Sequence, residues 1–405
     1  MRASLNNFRG LRALTLLATT LFLVASCSSA ASPSPSATGT ATPPPTGTAP
    51  PTPGETPTPA PSVGGELAYL GFQGDDAPTT MKSFYDETGI TLGATYVDSS
   101  EDIVTKLKAG GLGKYDFGTA NQRLVQTLVD EDLIVPIDES QVPNLEQLFP
   151  ELRDASVVPW AWRDGKLYAI PAYFGFDAIN YNADAIPVAP TNWDELLDAS
   201  YKGKICVLDN PVGQILSVGE HLGFGSDGTT FTKEKLTQIV DWIKKLVANS
   251  KTFVKGYGEM ADLMIRGDCT VGWIGWEYVS VKGQDAGVNI RHFIEQGKVK
   301  AWADALVVFK GAQNPAAAYA WINRLLDAKV MAGAAQEVSS LVTNTQVVDY
   351  LPKEFVDQMD FAAAAQKLKD IAWSTKPPAT STDPNQATLE DFTKAWEEIK
   401  ASAGG

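Results

Sequence analysis

Three different patterns follow one another in the segment Gln296–Leu326, QGKVKAWADALVVFKGAQNPAAAYAWINRLL. The continuous apolar run Ala305–Phe309 contains β-branched residues, which predicts a strand buried on both faces of a parallel sheet. Asn314 and Pro315 are typical of the N-cap and the first position of a helix. Apolar side chains then recur at helical spacing, so the segment predicts a buried strand followed by an amphipathic helix.

Trp302 and Asp304 lie just before this apolar run and are separated by one small residue. Side chains of an extended backbone alternate between two faces, so Trp302 and Asp304 should point to the same side. An aromatic ring beside a carboxylate suits an organic cation, because the ring face and the negative charge both attract an ammonium group. The pair therefore predicts a ligand subsite at the start of the strand.

Strand and helix patterns alternate along the chain from about Gly65 onward. Glu66–Phe72 is the first apolar strand, Pro78–Thr88 has a helical pattern, and Ile90–Val97 is the next strand. Helices of this length between strands imply a parallel sheet covered by helices. The sequence therefore predicts the α/β class.

Three further blocks accompany the Trp302 segment: Ala169–Asn182 (AIPAYFGFDAINYN), Thr191–Asn210 (TNWDELLDASYKGKICVLDN) and Gly256–Val279 (GYGEMADLMIRGDCTVGWIGWEYV). In this order, the four blocks resemble segments of the extracytoplasmic solute-binding proteins of ABC importers, specifically the spermidine/putrescine-binding family. The similarity extends from Glu66 to about Leu351. No single block is highly specific, but the ordered set is.

The resemblance implies a two-lobed, periplasmic-binding-protein-like fold of type II. Each lobe is expected to be a helix-covered, mostly parallel sheet, with two hinge crossovers between the lobes. We expect residues 64–173 and 304–342 in the first lobe and residues 174–303 and 343–405 in the second. Helices expected at 354–368 and 389–399 would pack across both lobes.

The resemblance also implies that ligand contacts lie at strand ends and crossovers around an interlobe cleft. Asn210 and Gly213 stand where polyamine binders of the family carry two acids. Asp177, Asp75 or Glu277 would restore the missing charge, or the ligand is a different compound. The expected ligand contacts are Phe72, Asp75, Tyr173, Phe174, Asp177, Trp273, Trp302 and Asp304.

The N-terminus has the features of a secretory leader. Three arginines precede the apolar run Ala13–Ala25, which is too short to span a bilayer comfortably. Small residues then precede Cys27, an arrangement that resembles a bacterial lipoprotein processing site. We expect residues 1–26 to be removed and Cys27 to be acylated, which would anchor the protein on the outer, extracytoplasmic face of the cytoplasmic membrane. A plain secretory signal with a chance cysteine is the alternative.

A polar, proline-rich segment follows the cysteine. Residues 28–62 are almost entirely Ser, Pro, Thr, Ala and Gly, with Glu55 as the only charge, so residues 27–63 are expected to form a disordered tether. Because the leader contains three arginines and no acid, its removal changes the formal charge from −15 to −18. Such an acidic surface argues against binding to nucleic acid, although it also serves solubility.

Cysteines and histidines limit the possible chemistry. Cys206 and Cys269 lie in apolar runs expected to be buried strands of one lobe, where they either form a disulfide or remain free. Neither has a CxxC or nearby histidine companion, so no metal site or cofactor is expected. His221 and His292 are the only histidines, and no G-x-S-x-G or H-E-x-x-H motif occurs, so an enzyme is poorly supported.

The resemblance to the solute-binding family therefore implies the substrate-binding component of an ABC importer, without catalytic activity. We expect a monomer that captures a polyamine or related organic cation and delivers it to permease subunits. Another small solute on the same fold is the first alternative: an amino-acid-like zwitterion, an anion or a metal. A secreted hydrolase and a surface adhesion protein are less favoured.

Overall fold

Strands and helices alternate between Gly65 and Ser402. A computed structural model describes residues 64–97, 99–297 and 299–403 of the protein. The leader, the acylation at Cys27 and the tether were predicted for residues that lie outside these ranges. No helix within the described residues has both the length and the apolar character needed to cross a membrane.

The larger of two main sheets has eight strands. Its strands are β1 (Gly65–Gly71), β2 (Ile90–Tyr96), β3 (Phe117–Asn121), β4 (Ile134–Val135), β7 (Ile170–Phe176), β13 (Val299–Phe309), β14 (Leu341–Val342) and β15 (Ile371–Trp373). The hydrogen-bonded order is β14, β7, β13, β3, β1, β2, and β4 and β15 pair with opposite ends of β13.

Strand β13 contains the predicted apolar run, and all of Ala305–Phe309 is buried. Its long neighbours, β3 and β7, are antiparallel to it, whereas we had predicted a parallel environment. The chain leaves this sheet at the end of β7 and returns to it at the start of β13. Two strands that cross the same edge of a sheet in opposite senses must run antiparallel, which explains the difference.

The smaller sheet has five strands in the order β10, β9, β11, β8, β12. Strands β10, β9 and β11 are parallel, and β8 is antiparallel to both β11 and β12. A separate hairpin, β5 (Trp162–Arg163) with β6 (Lys166–Leu167), lies outside both sheets. The five strands are β8 (Ala178–Asn182), β9 (Ile205–Leu208), β10 (Ser250–Val254), β11 (Val271–Gly275) and β12 (Ile290–Phe293).

Twelve α-helices lie within the described ranges, and the buried residues divide between the two sheets. Helices α1 to α3 and α8 to α11 contribute to the core of the larger sheet, and α4 to α6 and α12 to the cores of the smaller one. The bounds are α1 (Lys82–Thr88), α2 (Ser100–Lys106), α3 (Gln122–Asp130), α4 (Pro211–His221), α5 (Lys233–Val247), α6 (Tyr257–Ile265), α7 (Glu277–Asp285), α8 (Pro315–Leu325), α9 (Ala328–Val338), α10 (Lys353–Met359), α11 (Phe361–Lys367) and α12 (Leu389–Ser402).

The C-terminal segment belongs to both lobes. Met359, Phe361 and Leu368 are buried in the core of the larger sheet, whereas α12 packs on α4 and α5 beside the smaller sheet. The expected helix over 354–368 is interrupted at Asp360, whose φ of 50° is left-handed and ends α10. The buried residues of this segment therefore contribute to the cores of both sheets.

Helix α8 begins as its sequence predicts. The Asn314 side chain accepts a hydrogen bond from the Ala317 amide, and Pro315 occupies the first helical position. Trp321 from this helix is fully buried against Phe117, with ring centroids 4.6 Å apart. Loss of such an aromatic side chain costs about 3–5 kcal/mol, so this contact is a main link between α8 and the larger sheet.

A disulfide joins Cys206, in β9, to Cys269, just before β11, with Cα atoms 5.8 Å apart. The sequence left this bond as one of two alternatives. Both cysteines are fully buried in a small cluster that includes Met260 and Met264 from α6. The bond therefore joins β9 to the segment that leads into its parallel neighbour β11.

Candidate functional site

A cavity of about 700 Å³ lies where the larger sheet and the helices of the smaller sheet face each other. The ends of β1 and β3 and the starts of α2 and α3 form one wall. The starts of α4, α6 and α7 form the opposite wall. Strands β7 and β13 contribute side chains to the cavity from the crossover between the two sheets. Residues from both lobes therefore meet in one concave site.

Alternate residues of β13 supply three side chains to this cavity: Lys300, Trp302 and Asp304. The period-two argument placed Trp302 and Asp304 on one side, and both line the cavity. Lys300 obeys the same rule, two positions earlier, but we had not included it. On the neighbouring strand, Gly175 pairs with Trp302 and Tyr173 pairs with Asp304, so Tyr173 also reaches the cavity.

Aromatic rings surround Trp302. The Trp276 ring lies edge-on to it, with centroids 4.9 Å apart, and Trp276 is stacked on Tyr278 at 5.3 Å. A Cβ atom at Gly175 would come within 2.7 Å of the Trp302 indole, so glycine is what allows the ring to lie across β7. These rings can cover the methylene chain of an amine and attract its cationic end.

Asp304 and Asp75 form a pair of interacting carboxyl groups. Asp304 is partly buried and accepts a hydrogen bond of 3.2 Å from the Asn121 amide, and Arg123 in turn donates to Asn121. Burial raises the pKa of Asp304 to about 6, against the opposing effects of Asn121 and Arg123. Burial, and then the nearby charge of Asp304, raise the pKa of Asp75 well above its usual range.

Asp75 is 8% exposed, and its Oδ2 has no hydrogen-bond partner among the described residues. Its loop is held by two buried tyrosines: Tyr173 donates to the Asp75 carbonyl at 3.0 Å, and Tyr69 donates to the Phe72 carbonyl at 3.0 Å. A buried carboxyl without a partner is costly unless something else satisfies it. An ammonium group between Asp75 and Asp304 would do so.

A second pair lies deeper in the crossover. Lys300 Nζ is 2.8 Å from Asp177 Oδ2, and Ser217 from α4 also donates to Asp177. Both charged side chains are buried, which lowers the pKa of Lys300 while Asp177 opposes that effect. Asp177 therefore lines the cavity, as predicted, but its charge is matched by a lysine of the chain itself.

Comparison with known proteins identifies the family. Residues 79–364 match the family described as bacterial extracellular solute-binding protein. The chain belongs to this family.

Relatives of this solute-binding protein include the spermidine/putrescine-binding periplasmic protein of Escherichia coli, which is 26% identical over 75% of this chain and 85% of its own length. The putrescine/cadaverine-binding protein of Pseudomonas aeruginosa is 24% identical over 80% of this chain and 90% of its own. The spermidine/putrescine ABC transporter substrate-binding protein of Streptococcus pneumoniae has a similar structure, with a TM-score of 0.69 and 24% identity over 84% of this chain and 99% of its own. The protein therefore has the two-lobed fold that the sequence predicted.

Six of the eight expected contacts line the cavity of this solute-binding protein, and two do not. Phe174 lies on the opposite face of β7 from Tyr173 and packs in the core, with its ring centroid 5.9 Å from that of Phe176. Trp273 is fully buried in the other lobe, 5.9 Å from Trp242. The six that line the cavity are Phe72, Asp75, Tyr173, Asp177, Trp302 and Asp304.

Several cavity residues were missed by the sequence analysis. Strand β11 ends at Gly275, two residues after Trp273, and Trp276 lies between this strand end and α7. Tyr257 is the first residue of α6 and faces the same cavity. Lys376 brings positive charge that only the folded structure places there.

Asn210 and Gly213, at the positions where the resemblance implies two acids, also line the cavity. Asn210 is the N-cap of α4 and accepts a hydrogen bond of 2.9 Å from the Gly213 amide. Across the described residues, no group of three or more His, Cys, Asp or Glu side chains is arranged to hold a metal ion. Among the described carboxyl groups that line the cavity, Glu101 and Asp177 are paired with lysines, whereas Asp75 and Asp304 form no ion pair.

Proposed function

We propose that this protein is the substrate-binding component of an ABC importer that captures a small organic cation of the polyamine class or a related amine. The observation that carries the proposal is the buried Asp75 carboxyl, which lacks a partner on Oδ2 and faces a cavity it shares with Asp304 and Trp302. No ion pair within 4.0 Å involves either aspartate among the described residues. The names of the relatives support the same class of ligand.

The proposed binding step places the ammonium group between the two carboxyls. The ammonium donates a hydrogen bond to Asp75 Oδ2, which has no partner in the protein's described residues, and the Trp302 and Trp276 rings cover the attached methylene groups. Both carboxyls must be ionised for the full interaction. Because their pKa values are raised, ligand binding should release protons at neutral pH.

Closure of the two lobes over the ligand is the proposed conformational change. The chain crosses between the lobes after Phe176, before Val299 and again after Trp373, and these three segments are the proposed hinges. We assign residues 64–176 and 299–373 to lobe 1 and residues 177–297 and 374–403 to lobe 2. The pairing of β15 with β13 and the packing of α12 on α5 support this division.

A role in binding without catalysis is part of the proposal. His221 contacts Glu295 at 2.9 Å and Asp194 at 3.2 Å, but this cluster is packed between Trp193 and Trp242, away from the cavity. His292 is paired with Ser280 and burial lowers its pKa to about 4. Neither histidine is placed to act as a base on a ligand bound between the lobes.

We propose that Cys27 carries the lipid and that the tether holds a monomeric protein near its permease. Replacement of Cys27 by alanine should release the protein into the medium, while ligand-induced stabilisation is unchanged. Membrane retention of the Cys27→Ala protein would contradict the anchor.

A thermal-shift screen with amines, amino acids, sugars and inorganic anions tests the proposed ligand class. A ligand that binds only the folded protein raises the melting temperature by mass action, by an amount equivalent to about 2.7 kcal/mol at a hundred times Kd. We expect amines to stabilise the protein and Asp75→Asn to reduce that effect. Stabilisation by a sugar or an anion, with no response to any amine, would contradict the proposal.

A further inference from the structure

Lys300 and Asp177 form a buried ion pair in the lining of the cavity. Asp304, Trp302 and Lys300 follow one another along the same side of β13, and all three line the cavity. The Lys300 ammonium is therefore at the other end of this row from the Asp304 carboxyl. Asp177 receives both this ammonium and the Ser217 hydroxyl. Its carboxylate is therefore satisfied before any ligand arrives.

The other charged side chains of the cavity provide too little negative charge to balance a ligand with two positive charges. Glu101 forms an ion pair with Lys376, and Asp177 forms one with Lys300, so Asp75 and Asp304 face only the charge of Arg123. The charged lining residues are Asp75, Glu101, Arg123, Asp177, Lys300, Asp304 and Lys376.

Four helices of nine or more residues also begin at the cavity wall, namely α3, α4, α6 and α7. Helix N-termini carry partial positive charge. With formal charges summing to one negative, a single ammonium group is compensated, whereas a second one would be desolvated without a counter-charge.

We propose that the bound solute carries one ammonium group, with an uncharged or anionic distal end, and that Lys300 excludes diamines by occupying Asp177. This inference rests on the proposed function, because it concerns the same cleft. It explains why Asp177 does not replace the two acids missing at Asn210 and Gly213. In the proposed arrangement, the Lys300 ammonium takes the place of a second ammonium group of the ligand.

The first test is the ligand preference of the wild-type protein at pH 7.5. Calorimetric titration would compare putrescine, which has two ammonium groups, with N-acetylputrescine and 4-aminobutanoate, which have one each. We expect at least one single-ammonium compound to bind ten times or more tighter than putrescine. Putrescine binding as tightly as or tighter than both would overturn the inference and leave the proposed function standing. Binding of no amine would overturn both.

The second test removes the internal cation. In Lys300→Met, Asp177 becomes available to a ligand, so putrescine should gain at least tenfold relative to N-acetylputrescine. Lys300→Gln, which can still donate to Asp177 and is the milder change for folding, should shift the preference in the same direction. The matched control is Lys310→Met, which removes a lysine from an exposed ion pair with Asp132 and should leave the ranking unchanged.

A structural role for Lys300 as a link between the hinge strands predicts a different result. Both Lys300 variants would then lower the melting temperature, while the ratio of the putrescine and N-acetylputrescine affinities would stay at the wild-type value. That unchanged ratio would overturn the assignment of Lys300 as the residue that excludes diamines.

Discussion

Replacement of Asp304 by asparagine should weaken ligand binding and, at the same time, stabilise the unligated protein. Asparagine has nearly the same shape, and its carbonyl can keep accepting from the Asn121 amide at 3.2 Å. The bound ammonium loses one of its two carboxylates, and part of its charge remains unpaired in the cleft. We expect a loss of about 2–4 kcal/mol, or roughly 30- to 1,000-fold in affinity.

The stability effect has the opposite sign. Folding raises the pKa of Asp304 from 3.8 to about 6, so the ionised carboxyl destabilises the unligated fold at neutral pH. Two pKa units correspond to about 3 kcal/mol, and the real gain should be smaller because water in the open cleft screens this partly exposed group. A purely structural Asp304 would instead make the variant less stable.

Calorimetric titration and thermal unfolding of the same preparations measure both effects. The charge-matched control is Asp241→Asn, which lies on the exposed face of α5, outside the cavity, and should change neither quantity. Binding by Asp304→Asn with wild-type affinity would refute this reasoning, and the ammonium would then have to bind elsewhere in the cleft.

Three further outcomes are expected. Affinity for an amine should fall about tenfold between pH 7 and pH 5, because Asp304, with a pKa of about 6, takes up a proton over this range. The stability that this carboxyl contributes to the unligated protein is present below about pH 4 and is lost as the pH rises through 6. An affinity that stays constant between pH 7 and pH 5 would contradict the carboxyl pair. Gly175→Ala should displace the Trp302 ring, which would lower the stability by about 1–3 kcal/mol and weaken ligand binding. Wild-type values in calorimetry and thermal unfolding would show that the new methyl group fits beside the Trp302 ring and would refute this prediction. The double replacement of Cys206 and Cys269 by alanine should lower the free energy of unfolding by about 2–4 kcal/mol in denaturant titration and leave ligand affinity unchanged; weaker binding would mean that the bond also shapes the site.

Local rules predicted the part of the site that lies on one strand. The alternation of side chains along β13 is sufficient to place Trp302 and Asp304 together, and it would also have found Lys300. Applied to β7, the same rule excludes Phe174, because Gly175 and Tyr173 are the residues that pair with Trp302 and Asp304. We had selected Phe174 because it matches an aromatic residue in the first crossover of the family that the sequence resembles, without applying the alternation rule to β7.

Other features depend on how distant segments meet, which a single sequence does not contain. Trp273 and Trp276 belong to one apolar segment, and only the position of the β11–α7 junction decides which of them reaches the cavity. The ion pair between Asp177 and Lys300 connects two residues that are far apart in the sequence and lie in different crossovers between the lobes. The raised pKa values of Asp75 and Asp304 likewise require their mutual proximity and burial.

The crystal structure of the complex with the tightest-binding amine of the panel tests the central claim most directly. We predict that the ammonium nitrogen lies within about 3.2 Å of carboxylate oxygens of both Asp75 and Asp304, with the attached methylene groups against the Trp302 ring. An ammonium group that binds outside this pair, or a ligand held instead by an anionic group at Arg123, would contradict the account.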